Sequence, residues 1–196
     1  PISSYANGAS QTLVCKGQSG STYSYVFSIG STGLLNLGTS ANGSTVVNNT
    51  ASTTTGVSDG TDTWFRASLD VNDGAGNRVC KFYKSTDGST WTQIGSTVTT
   101  ATTVTIFDST SFLEHGTYQN GTLAMTGRLY QAKIYSSYLE NTSGTAVYDA
   151  NFATKTFGAN SFTESSANAA TVSITGELMR AGDGRVGVSS VTAGTN

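Results

Sequence analysis

Carboxylates, a single histidine and two cysteines are the residues of this chain whose types could do chemistry. Hydrolysis of a glycosidic bond needs two carboxyl groups flanking it, roughly 5 Å apart for retention and wider for inversion. On one strand that means acids at alternate positions, which the pleat sends to one face. The acids are Asp59, Asp62, Asp70, Asp73, Asp87, Asp108, Glu114, Glu140, Asp149, Glu164, Glu177 and Asp183. No two form an alternating pair inside a strand, and Asp70 and Asp73 fall in a turn, so no glycosidase set is expected. His115, in LEHGTY, has no Gly-x-Ser-x-Gly elbow to serve and reads as a half-exposed polar residue near a strand edge. Cys15 and Cys80 lack CxxC spacing, which leaves a zinc site unsupported. They read as two small buried residues, with a disulfide as the alternative if their strands are neighbours.

Three stretches suggest ligands instead. Asp70, Asn72, Asp73 and Asn77 gather oxygen atoms in a short loop with Gly74 and Gly76, as calcium sites do. The spacing is not that of an EF-hand, and turn chemistry alone explains Asp, Asn and Gly together, so calcium stays as the alternative. The loop NDGAGNR has no following helix and no Gly-Lys-Ser/Thr, so it is not a phosphate cradle. STDGSTW is similar to a sialidase Asp-box, but Gly88 follows Asp87 directly and Trp91 comes one residue early. It reads as the turn of a hairpin, Gly88 supplying the positive φ of a primed turn. Trp64 and Trp91 could stack on sugar rings, while such residues more often fill a core or cap its edge.

The elements that would carry these residues read as strands. Gln11 to Lys16, Tyr23 to Ile29, Leu34 to Leu37 and Thr45 to Asn48 recur about every 8–12 residues, the rhythm of an all-β domain. Tyr23, Tyr25, Phe27 and Ile29 share a face by the period of two. Thr63 to Val71 alternates, with Phe65, Ala67, Leu69 and Val71 on one face and Trp64, Arg66, Ser68 and Asp70 on the other. Arg78 to Gly95 forms two arms about Asp87-Gly88, and the Thr-rich run after it could line a sheet edge. Phe112 to Tyr118, Thr126 to Tyr135, Thr145 to Phe152 and Thr171 to Thr175 complete the set. Tyr130, Ala132 and Ile134 fall together, opposite Leu129, Gln131 and Lys133. Residues 51–62 read as a connector. No helical period lasts three turns and no internal repeat of 20–50 residues is evident.

Composition bounds the class. At 196 residues the chain suits one domain. Only 11% of residues are charged, and 60 are Ser or Thr, against roughly 25% charged in an average domain. A net charge of −2, with no run of Lys or Arg, excludes the basic footprint of a nucleic-acid binder. No stretch of 18 apolar residues predicts a membrane helix. The start at Pro1 carries no signal-peptide pattern and suggests a processed product or part of a longer chain.

Four segments carry a family resemblance: SQTLVCKG, DTWFRASLDVNDGAGNRVCKFYKSTDGSTWTQIGSTVTT, IFDSTSFLEHGTYQNGTLAMTGRLYQAKIYSS and GTAVYDANFATKTFGANSFTESSANAATVSITG. Together they resemble the LamG-like, concanavalin A-like jelly-roll domains of tailed-phage virion proteins, such as minor tail or capsid-surface proteins. The resemblance covers about Gln11 to Gly176. It implies an all-β, antiparallel two-sheet β-sandwich at 11–176, with an arm or loop at 1–10 and a polar C-terminal tail at 177–196, loose from Ala181. It also implies a non-enzymatic structural or adhesion role on a virion. The expected partners are other virion proteins, copies of itself and host cell-surface glycans, with neither nucleic acid nor membrane insertion. A secreted or surface-attached carbohydrate-binding module is the alternative. No catalytic, cofactor-binding or metal residue is assigned, nor a glycan-binding one.

One departure bears on assembly. Family members usually begin with a further strand or two, whereas residues 1–10 show no strand pattern. If the fold is shared, one sheet edge lacks a strand or takes it from another chain, which is a site for strand addition.

Overall fold

The computed structural model describes residues 5, 8–17, 20–119, 121–156 and 158–175, and the strand backbone at 179–181, 185–187 and 190–193. Among the described residues the fold is all-β, antiparallel and without helix. An eight-stranded sheet contains β1 (Gln11–Lys16), β2 (Tyr25–Ile29), β3 (Leu34–Ser40), β4 (Val46–Thr54), β8 (Leu113–His115), β11 (Ser161–Thr163), β12 (Thr171–Thr175) and β15 (Ser190–Ala193). Its order is β11-β12-β15-β8-β1-β2-β3-β4. A three-stranded sheet, β5-β6-β7, comprises β5 (Trp64–Asp70), β6 (Arg78–Ser85) and β7 (Thr92–Thr100). Two further pairs are β9 (Gln131–Tyr135) with β10 (Ala146–Asn151), and β13 (Met179–Ala181) with β14 (Arg185–Gly187).

Burial alternates along most of β6, along β10 and along β12, as expected of half-buried β structure. Phe65, Ala67 and Leu69 on β5 meet Leu13, Ile29, Leu35, Leu37, Cys80, Phe82 and Ile94 in one core. Phe82, Ile29 and Leu35 are fully buried, each contributing about 1.5–3 kcal/mol from removal of apolar surface from water. Tyr5 joins this core at 4% exposure, so the arm expected at 1–10 is anchored at that point. A second core gathers Ala132, Tyr148, Ala150 and Phe152 against Val172 and Ile174.

A β-bulge connects the two cores. The register of β1 against β2 shifts between Thr12 and Val14. A bulge can turn consecutive side chains toward the same face. Here Leu13 enters the first core and its neighbour Val14 packs on the second.

The two meanders β2-β3-β4 and β5-β6-β7 repeat one another, although the sequence suggested no repeat. Ser40 to Thr45 (SANGST) and Ser85 to Thr90 (STDGST) form the same turn. Ser40 Oγ accepts the N–H groups of Asn42 and Gly43, and Asn42 Oδ1 accepts those of Ser44 (3.0 Å) and Thr45 (2.8 Å). Ser85 Oγ accepts the N–H groups of Asp87 and Gly88, and Asp87 Oδ1 accepts those of Ser89 (2.8 Å) and Thr90 (2.7 Å). Register matches too: Thr39↔Val47, Gly38↔Asn48 and Leu37↔Asn49 correspond to Lys84↔Thr92, Tyr83↔Gln93 and Phe82↔Ile94. Gly43 and Gly88 occupy equivalent positions with φ of 83° and 72°. The turn at Asp87-Gly88 is therefore a longer side-chain-knitted loop than a two-residue primed hairpin.

Several expectations shift. Tyr23 leaves the face of Tyr25 and Phe27, because the strand begins only at Tyr25, and it packs with Cys15 and Val26. Leu129 precedes β9 and joins the core with Ala132 instead of opposing it. β4 extends through Thr54, into the expected connector. The stretch read as a loose tail supplies β15, which pairs with β12 and β8. Its Ser-Val-Thr-Ala wording alternates as an inner strand does, too briefly to stand out among the surrounding glycines.

Candidate functional site

A cavity of about 1000 Å³ opens between the three-stranded sheet and the β9-β10 pair. Every residue of β5 and every residue of β9 lines it. Residues of both parities are among them, inner-face Phe65, Ala67 and Leu69 with outer-face Trp64 and Arg66, so the cavity passes round the edge of β5. Among the described residues β5 is bonded to β6 alone and β9 to β10 alone, so their edges at the cavity are unpaired. Leu13, Val14, Tyr25 and Phe27 of the eight-stranded sheet also line it, and form its floor.

The mouth is aromatic and cationic. Trp64, on the outer face of β5, lies against the Asp87-Gly88 turn, where a Cβ on Gly88 would stand 3.0 Å from the indole. Trp91, just beyond that turn, carries the Arg66 guanidinium 3.9 Å above its ring, and Tyr135 lies 5.7 Å from the same group. Arg66 Nη1 also donates to the carbonyls of Glu140 (2.9 Å) and Thr142 (3.0 Å). Burial lowers the guanidinium pKa from its ordinary value, against the opposing influence of Tyr135 and Tyr83. Stacking on a cation orders Trp91 and leaves the half-buried mouth with both π surface and hydrogen-bonding edges.

The segment after β9 is strapped across β5 and β6. Ser68 Oγ donates to the Leu139 carbonyl and accepts the Leu139 N–H (3.1 Å). Lys81 pairs with Glu140, and Tyr138 donates to the same carboxylate (3.0 Å). The Lys81 hydrogen bond is the main reason that the Glu140 pKa lies below its ordinary value. These contacts fix one wall of the cavity.

Asp73, Asp87 and Glu164 accept backbone N–H groups. Hydrogen bonds from the Thr90 and Ser89 amides, then from Ser85 and Thr90 side chains, hold the Asp87 carboxyl well below the usual range, so it cannot act as a proton donor near neutrality. Burial raises the Glu164 pKa, but hydrogen bonds from Ser166, Asp149 and Ala170 outweigh it and leave it lowered. Glu114, 4% exposed, accepts the Gln119 N–H (3.0 Å) and the Cys15 thiol (3.4 Å). In the loop weighed for calcium, Asp70 accepts the Asn72 N–H, while Asp73 accepts Ala75, Asn77 and the Asn77 side chain. Those bonds support the turn explanation of the Asp-Asn-Gly cluster. Among the described residues no group of three or more His, Cys, Asp or Glu could hold a metal ion.

His115 is not half-exposed; it is fully buried. β8 lies between β1 and β15, inside the sheet, so its side chain enters the second core and not a strand edge. There it stacks on Tyr148, with Nε2 2.7 Å from the tyrosine hydroxyl, and meets Phe152 edge-on. Desolvation pushes its pKa down to about 3. Cys15 and Cys80 are buried free thiols in different clusters.

Of the residues singled out in the sequence, Trp64 and Trp91 come together at the cavity, and neither fills a core. Arg66, Tyr135 and the Leu139–Glu140 strap were missed. The signal available was the shared outward parity of Trp64 and Arg66 on β5. The chain matches no known protein family, no curated protein and no solved structure.

Proposed function

We propose that this chain is a non-enzymatic structural and adhesion module of a tailed-phage particle, folded as a two-sheet jelly-roll sandwich of the concanavalin A-like, LamG-like kind. The resemblance over Gln11 to Gly176 supports that reading, and so does the all-β antiparallel architecture. The observation that carries the adhesive part is the Trp64–Arg66–Trp91 cluster at the mouth of a cavity. Aromatic faces beside polar edges suit the apolar faces and hydroxyls of sugar rings. The backbone duties of Asp87 and Glu164 support recognition without hydrolysis. A secreted or surface-attached carbohydrate-binding module is the second reading, favoured by the same mouth.

The test has two arms. Labelled whole chain is titrated against host surface polysaccharide, with Trp91→Ala expected to weaken binding by roughly 30-fold, the scale of a 2 kcal/mol hot spot. Antibody labelling of particles should find the chain in many copies. Polysaccharide binding without particle labelling selects the second reading. Cleavage of the polysaccharide, or undiminished binding by Trp91→Ala, overturns the proposal.

A further inference from the structure

The eight-stranded sheet is covered by five strands of the smaller sheets that reach the two cores, β5 to β7 on one side and β9 with β10 on the other. Between them parts of β1 and β2 face the cavity, although Leu13 and Ile29 of the same strands are buried in the first core. Val14, Tyr25 and Phe27 belong to those strands, yet all three are only half-buried, as are Ala67, Leu69 and Ile134 around them. Inner strands of a closed β-structure bury such residues, as Ile29 and Leu35 are buried here. Thr39 Oγ1, on the lining of the cavity, is buried and has no hydrogen-bond partner among the described residues.

The two long walls make the same demand. In an antiparallel strand, alternate residues direct N–H and C=O to each side. Among the described residues β5 and β9 each use one side only, so each offers the other side's row to the cavity. A row of donors and acceptors at strand spacing on both walls, over an apolar floor, is matched by an extended peptide. Its backbone bonds both edges while alternate side chains descend onto Tyr25 and Phe27. Neither a sugar nor a lipid supplies that double periodic ladder.

The geometry points to a strand-acceptor slot: an extended segment of another polypeptide chain, apolar at alternate positions, inserts between β5 and β9 and joins them into one sheet. The slot does not depend on the functional reading above, because the aromatic mouth plays no part in the ladder. It makes the chain a receiver in an assembly, with specificity set by the residues that descend onto the floor.

The test uses the whole chain with a Val-Thr-Val-Thr-Val-Thr-Val strand attached ahead of its first residue by a Gly/Ser linker. A flexible Gly/Ser linker long enough to reach the slot gives roughly millimolar effective concentration. Hydrogen exchange is followed residue by residue. The expected result is at least tenfold slower exchange at alternate amides of both β5 and β9, absent when every Thr of the tether is Pro. Protection of one strand alone, of neither, or equally by the Pro-bearing tether overturns the slot. Dimerisation of the untethered chain with the same amides protected overturns the assignment to another polypeptide in favour of a second copy.

Discussion

Equivalent glycines in the two repeated turns should respond differently to the same methyl group. Gly43 and Gly88 have φ of 83° and 72°, so alanine at either carries the left-handed penalty of about 1–2 kcal/mol. The surroundings then separate them. At Gly43 the new Cβ would lie 2.3 Å from the Ser21 carbonyl oxygen and 3.0 Å from the Phe107 ring. That oxygen is backbone, and the segment is tied to the turn through the Tyr23 N–H bond to the Gly43 carbonyl (2.8 Å). Main chain must therefore move, which adds about 1–3 kcal/mol, as overpacking does. At Gly88 the obstacle is the Trp64 indole at 3.0 Å, which can tilt at the half-open mouth. Gly43→Ala is expected to cost about 2–5 kcal/mol and Gly88→Ala about 1–2 kcal/mol. For a chain of this size each kcal/mol lowers Tm by roughly 2–4 °C. Urea unfolding followed by tryptophan fluorescence measures both effects. Gly88→Ala should also change the emission of the folded protein, because Trp64 stands on that residue, whereas Gly43→Ala should not. Equal destabilisation, or a larger loss at Gly88, would refute the backbone contact assigned to Gly43 and the seating of Trp64 on Gly88.

Two further outcomes follow from buried titratable groups. His115 titrates near 6.5 when unfolded and is held down to about 3 by burial when folded. The unfolded chain therefore takes up the proton first, and stability falls as pH drops from about 6.5 toward 3. It should be flat in this group above that window. Between pH 6.5 and 4.5 the loss is about 2 kcal/mol, and His115→Gln should remove that slope; an unchanged slope in urea midpoints counts against a neutral buried imidazole. Burial pushes the Cys80 thiol up to about 12 and also raises Cys15, with Glu114 adding to the effect. Neither thiol should react with a disulfide reagent in the folded chain, and both should react in denaturant. Rapid labelling of the folded protein would contradict their placement.

Local alternation was legible where a strand buries one face, as β10 and β12 do. Gln11–Lys16 and Thr171–Thr175 have the ends that the pattern predicts, and the Phe65, Ala67, Leu69 face meets the core as expected. Where burial does not alternate, pattern fails. The β1 bulge turns Leu13 and Val14 into separate cores, and nothing in QTLVCK marks a bulge. His115 misled for a related reason: a polar side chain between Glu114 and Gly116 suggests an edge, while the insertion of β15 from the far end of the chain makes β8 an inner strand. The repeated turn was present in SANGST and STDGST but spans only six letters. Its meaning lies in two side-chain acceptors and a matching register, and the wording alone carries neither. The cavity mouth was half legible, through two tryptophans. The Glu140 and Thr142 carbonyls that hold Arg66 come from an irregular strap with no period to read.

The bulge and the repeat together explain why the fold opens where it does. Each meander is bonded strand to strand within itself and packs across the first core, to which β1 contributes Leu13. The β9-β10 pair packs on the second core and needs Val14 and Leu113. Each side is thus satisfied without the other, and β5 and β9 have no side-chain reason to close the gap between them. Adjacent strands bond about 4.8 Å apart. Closing the gap directly would require β5 and β9 to shift toward one another, pulling Phe65 or Ile134 off a core already filled. An inserted strand would meet both ladders while leaving both cores in place. On that account the opening is a consequence of splitting the interior at Leu13 and Val14. Deletion of Leu13, which would restore simple alternation, should cost the first core its β1 contact before it narrowed the slot.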